Sequence, residues 1–140
     1  MEYAQFGNTF IVRVDRGEEI VASLREFCEK AGVTLGSIVG IGATDKATIG
    51  LFDVEKKEYF SKELTGNHEI AALVGNITTK DGEVYLHLHV TLGDRDHKAS
   101  AGHLNSAVVS ATFEAVVHAA DGTVGRREDG NLGLNLLDFS

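Results

Sequence analysis

The chain has 140 residues, 13 basic and 21 acidic, for a formal charge of −8, with 16 glycines, six histidines, one cysteine and no proline. That length fits a single domain, residues 1–140, able to bury roughly two-thirds of its unfolded surface without disulfides. An apolar fraction of 43% with both charge signs present excludes disorder, and the acidic balance argues against a phosphate-binding surface.

The first eight residues have neither the basic start nor the apolar stretch of a signal peptide. No apolar run approaches the roughly 18–20 residues of a membrane span. A lone cysteine fits a reducing compartment, so a cytoplasmic protein is expected.

Residues 9–14 alternate Phe10, Val12 and Val14 with Ile11 and Arg13, a strand pattern. From 17 to 31 the period changes: Ile20, Leu24, Phe27, Cys28 and Ala31 share one helical face. Acids at the start, Lys30 at the end and Gly32 just beyond suit a helix there. Cys28 on the apolar face reads as core, with nothing to activate its thiol. Residues 35–43 are apolar and glycine-rich. Residues 47–53 and 58–64 flank a charged turn and read as a hairpin. A second hairpin joins 69–78 to 84–92 through Lys80-Asp81-Gly82. Residues 93–105 are polar and read as a loop, 109–118 alternate as a strand, and 132–139 fit a last short strand or extended segment. One helix among hairpin-linked strands implies an α+β fold with a mainly antiparallel sheet.

The chemistry concentrates in Leu86-His87-Leu88-His89-Val90 and Gly102-His103. Residues two apart on a strand share a face about 6.5–7 Å apart, so His87 and His89 project together. Two imidazoles at that spacing can converge on one ion with bonds of about 2.0–2.1 Å. His103 is near enough in sequence to return over the strand as a third ligand. A His-x-His alone is commonly just a pair of surface histidines; three within 17 residues, one beside glycine, weigh toward a site. Three neutral imidazoles without a thiolate leave a fourth position open, the pattern of catalytic zinc; iron, nickel or cobalt also accept imidazole. Asp94, Asp96, Glu69 and Glu114 are unranked candidates to orient the ligands through their other ring nitrogens. His97 reads as a solvated turn residue and His118 as a surface or interface residue.

Several motifs occur in order: Gly40-Ile41-Gly42-Ala43, Leu64-Thr65-Gly66-Asn67-His68-Glu69-Ile70, Gly75-Asn76-Ile77, His87-Leu88-His89, Ala101-Gly102-His103-Leu104 and Thr112-Phe113-Glu114. Together they resemble the PPC domain, the "plant and prokaryote conserved" domain, over about residues 13–117. Each motif alone is weak; the ordered set is specific. The resemblance implies a compact α+β domain forming homotrimers, related in fold to acetolactate-decarboxylase-like proteins. It also implies that His87, His89 and His103 hold a divalent transition metal, with zinc the expected ion. The family's glycine pair before the third histidine is here Ala101-Gly102. Plant members tend to have Arg-Phe where this chain has Asn67-His68, which sets it with the bacterial, metal-competent branch. Gly40, Gly42, Gly66 and Gly75 read as sites of tight turns, bulges or close strand packing.

Three functional readings follow. The first is a stand-alone, homotrimeric metal-binding domain that carries its family's candidate DNA-binding label. The second is a metal-dependent lyase or hydrolase acting on a small oxo- or hydroxy-acid bound at the metal, with Glu69 or Arg95 as candidate catalytic residues. The third, direct nucleic-acid binding, is disfavoured by the charge of −8. A chain without proline also has no AT-hook, whose core is Arg-Gly-Arg-Pro.

Overall fold

The computed structural model describes residues 1–140. The elements run β1 (Glu2–Phe6), β2 (Thr9–Asp15), α1 (Ile20–Ala31), β3 (Gly36–Asp53), β4 (Glu58–Lys80), β5 (Glu83–Gly93), β6 (Ala99–Ala119), β7 (Gly125–Asp129) and β8 (Leu134–Asp138). The first six strands form an antiparallel sheet in the order β1-β2-β6-β3-β4-β5. Because β5 also pairs with the start of β6, the sheet closes on itself. β7 and β8 form a separate hairpin. The architecture is the α+β, mainly antiparallel arrangement with one helix that the patterning implies. That helix is too short to cross a membrane.

The helix begins three residues later than its acidic start suggests, because Glu19 caps it from outside. The Glu19 carboxylate accepts from the amides of Val21 and Ala22 at 3.0 and 2.7 Å, and from Ala107 of β6 at 2.9 Å. One side chain thus satisfies free N–H groups of the first turn and ties the helix to the sheet. Gly32 ends the helix at φ 68°, where its amide bonds the Cys28 carbonyl. Ile20, Leu24, Phe27 and Cys28 are buried against the sheet. Burial pushes the Cys28 thiol up to about 12, so it stays an inert core group.

Three strands are much longer than the patterning suggests. Residues 35–43 and 47–53 belong to one strand, β3, and 58–64 and 69–78 to another, β4. Register shifts at Gly40/Gly42 and Thr44/Lys46, and at Ile70/Ala72, break the alternation without ending the pairing. Such bulges bend a strand and reverse which residues face inward. Thr44, fully buried, relieves one of them. Its hydroxyl donates to the Val108 carbonyl at 2.7 Å and accepts from the Lys46 amide at 3.3 Å.

The 93–105 loop is also shorter than expected. Only 94–98 turns; from Ala99 the chain is already β6. The Asp94 carboxylate organises the turn by accepting from the amides of Asp96 and Lys98, both at 2.9 Å. These bonds hold its pKa below the ordinary value. The Asp81-Gly82 turn between β4 and β5 has positive φ at both residues, 53° and 84°, as a tight hairpin requires. Two further strands escape the sequence pattern. β1 is exposed along its whole length, and β7 is the short partner of the expected terminal strand, β8.

Phe27 and Phe113 are the largest fully buried side chains. Gly40 leaves the space that the Phe113 ring fills: a Cβ there would lie 2.5 Å from Cζ. Phe113→Ala should therefore open a cavity between β3 and β6 and cost about 3–5 kcal/mol, measured as a lower denaturant midpoint at unchanged slope.

Candidate metal centre

β5 delivers His87 and His89 to one face because strand side chains alternate. Leu88 and Val90, which point the other way, are 1% and 3% exposed and belong to the core. His103 comes from β6 and sits directly across the ladder from His89. The third histidine is therefore not returned by a loop; it is a cross-strand neighbour, fixed by the same hydrogen bonds that close the sheet. The ring centroids lie 5.2 Å (His87–His89), 5.3 Å (His87–His103) and 5.7 Å (His89–His103) apart.

One nitrogen from each ring lies within 4.8 Å of the others. A tetrahedral ion with bonds of about 2.0–2.1 Å needs them roughly 3.3 Å apart, a difference that small side-chain rotations supply. Burial, with the charges of His103, Arg126 and His89, lowers the His87 pKa below 6.5. Burial and His89 do the same for His103. Both shifts favour the neutral imidazole that ligates metal. The donor set thus fits a borderline-soft divalent ion such as zinc: three neutral nitrogens, no thiolate, and room for a further ligand.

The three rings open into a cavity of about 810 Å³. Leu51 and Phe52 of β3 and Leu134, Leu136 and Leu137 of the β7–β8 hairpin form its apolar wall. Tyr59, Asn76, Tyr85, Arg126 and Asn135 are its other polar groups, and none of its lining residues is acidic. Tyr59 fits because Gly50 has no side chain: a Cβ there would overlap the phenol oxygen. That hydroxyl donates to Asn105 Oδ1 at 2.7 Å.

The carboxylates considered as orienting groups lie elsewhere. Asp94 holds the 94–98 turn, with Asp96 in the same turn. Glu69 and Glu114 border a separate shallow depression beside Ile41 and Thr112. Arg95 lines another, with His68 and Asp94. Neither Glu69 nor Arg95 meets the histidines within one chain. The other histidines are also apart: His68 Nδ1 is 2.7 Å from the Gly66 carbonyl, His118 Nδ1 is 3.0 Å from the Thr9 hydroxyl, and His97 sits in the turn at φ 60°.

Two groups beside the histidines escaped the sequence reading. Tyr85 shares the strand face of His87 and His89, a relation that period-two alternation already contains. Arg126 belongs to the basic pair Arg126-Arg127, and only the pairing of β7 with β8 shows that one member turns inward.

A model of the Plants and Prokaryotes Conserved (PCC) domain family matches residues 1–121. Among solved structures, a candidate DNA-binding protein from Bacteroides thetaiotaomicron is 40% identical with a TM-score of 0.96, covering 99% of this chain and 96% of its own. A metal-containing protein from Archaeoglobus fulgidus is 39% identical with a TM-score of 0.87, covering 97% and 96%. A plant- and prokaryote-conserved protein from Pyrococcus horikoshii is 34% identical with a TM-score of 0.86, covering 98% and 94%. No curated protein matches the chain.

Elemental analysis of the untagged protein should find about one transition-metal ion per chain, and His87→Ala or His103→Ala should remove it. A histidine whose pKa falls on folding adds stability that is complete above its ordinary value and is lost as the pH drops through the folded one. Metal content should accordingly fall as the pH is lowered and His87 and His103 take up protons.

Proposed function

The chain belongs to the Plants and Prokaryotes Conserved domain family, and from that premise we propose that it is a cytoplasmic homotrimer binding one zinc ion per chain through His87, His89 and His103. The observation that carries the metal reading is the convergence of three histidine nitrogens within 4.8 Å, in a cavity without a carboxylate. The metal-containing relative from Archaeoglobus fulgidus supports it. When bound, zinc would supply a Lewis acid to a ligand oxygen at the open position. The chain's own residues favour the neutral form of His87 and His103 by burial and border the position with leucines and Phe52.

Self-association is supported by the outer face of the sheet. Ile11, Val116, Val39 and Val74 are cross-strand neighbours in sequence across β2, β6, β3 and β4. All are exposed large apolar residues, and Ile41 extends the stripe at 59% exposure. A continuous apolar stripe of this kind is ordinarily covered by another chain. The row continues from Val74 to His89, so a covering subunit would lie against the edge of the metal site. The number three comes from the family resemblance.

A second reading, a metal-dependent lyase or hydrolase acting on a small oxo- or hydroxy-acid, is supported by the open coordination position and the size of the cavity. Direct DNA contact is disfavoured. The charge is −8, and of the basic pair Arg126-Arg127, Arg126 is held inside the cavity wall by Asn76, Thr78 and Asn135.

Light scattering should give three chain masses, and Val39→Glu with Ile41→Glu should give one. Duplex DNA should show no mobility shift at about 50 mM salt, where phosphate contacts are strong. A salt-sensitive shift, or a monomeric wild type, would overturn the corresponding part of this reading.

A further inference from the structure

Arg126 is the one cation in the histidine cavity, and its geometry is unusual for a guanidinium. Nε donates to the Thr78 hydroxyl at 2.8 Å, Nη1 to the Asn135 carbonyl at 2.8 Å and Nη2 to Asn76 Oδ1 at 2.7 Å. The guanidinium carbon lies 4.7 Å from the centre of the Tyr85 ring, close enough for a cation–π contact. Every partner is electrically neutral. No ion pair of the molecule includes Arg126, whereas its neighbour Arg127, exposed on the other face of β7, approaches Asp138 at 3.8 Å. A guanidinium has five N–H donors; three are used, so two remain.

Charge held in a partly buried site is costly unless something offsets it. The three imidazoles bring no negative charge to a divalent ion, and the cavity lining contains no acid. Metal and guanidinium together leave a strongly positive interior in a protein of charge −8, and a bound anion would complete it. The rest of the lining decides which anion. A nucleotide or polyphosphate would need several cations, and here there is one. Leu51, Phe52, Leu136 and Leu137 also line the cavity, an apolar surface that suits hydrocarbon. The volume of about 810 Å³ is within the range of small-molecule sites.

We propose that Arg126 and the β7–β8 hairpin form a carboxylate subsite beside the metal position, and that the cavity takes a small monocarboxylate with an apolar tail. This rests on the metal reading of the three histidines and assigns the ligand class of that site. Asn76 links the two parts: it lies across the ladder from His87 and holds Nη2 of Arg126. Arg126 is fixed before the ligand arrives, so little ordering is required on binding.

The test is calorimetry on the zinc-loaded full chain with 4-methyl-2-oxopentanoate and its neutral amide as probes. The carboxylate should bind at least about tenfold more tightly than the amide, as expected for charge-assisted hydrogen bonds. Arg126→Gln should bring the carboxylate to the level of the amide while leaving the amide unchanged. Arg127→Gln, the same charge change on the outer face, should alter neither. If Arg126→Gln merely loosened the hairpin, both probes would weaken by the same factor, and that result would overturn the subsite. So would equal binding of the two probes by the wild type, or binding of neither at millimolar concentration. Zinc content and binding to EDTA-treated protein separate the two readings. Arg126-dependent binding without zinc would sink the metal reading alone; full zinc occupancy with binding indifferent to Arg126 would sink this inference alone.

Discussion

Residues 89–93 of β5 are hydrogen-bonded to residues 99–103 of β6, and this short ladder closes the sheet. It sets His103 opposite His89, one strand spacing away. The last residue of that stretch, His103, pairs on its other side with β3, where Gly50 lies opposite it. The third histidine is therefore clamped between two strands, and its position follows from backbone register. A slip of one residue would turn every side chain of that segment to the opposite face and take His103 out of the cavity. Gly102 marks how close the fit is: a Cβ there would lie 2.7 Å from the Gly50 carbonyl oxygen. The metal centre and the closure of the sheet are one constraint.

The distribution of charge follows from the same geometry. The chain is acidic overall, yet its carboxylates have other work. Glu19 caps the helix and fastens it to β6, Asp94 shapes the turn that starts the closing ladder, and Asp129 accepts from Asn131 and Leu132 at the tip of the last hairpin. The cavity keeps three imidazoles and one guanidinium and no carboxylate. An acidic exterior around a cationic interior limits what enters by long-range attraction, so selection falls to short-range contacts within the cavity.

Much of this was readable along the chain, and what was not has physical reasons. Period-two alternation alone places His87 and His89 on one face and Leu88 and Val90 on the other, and the periodic apolar face of residues 20–31 identifies the helix. The ordered motifs point to His103, but its strand context stays hidden. Ala99, Ser100, Ala101 and Gly102 have weak intrinsic strand preference and are held extended by their pairing with β5. The long strands read as broken because bulges at Gly40/Gly42 and Thr44/Lys46 interrupt the alternation. Arg126 is hidden most deeply. Its partners Thr78 and Asn76 are 48 and 50 residues away, and a five-residue strand carries too little pattern to show which basic residue turns inward.

The division between what the family pattern covers and what it omits has a mechanistic consequence. The family match ends at residue 121, whereas Arg126 and the leucines of the second cavity wall belong to the hairpin at 125–138. The three histidines of the candidate metal centre all lie within the matched part, on strands fixed by sheet closure. The hairpin is anchored mainly through Arg126, whose bonds to Asn76 and Thr78 of β4 attach it beside His87. The candidate metal ligands and the proposed ligand wall thus lie on different parts of the chain. The first tolerates little change, because any shift moves the closing ladder. The second can vary at Leu134, Leu136 and Leu137 without touching a strand of the main sheet, since β8 pairs only with β7.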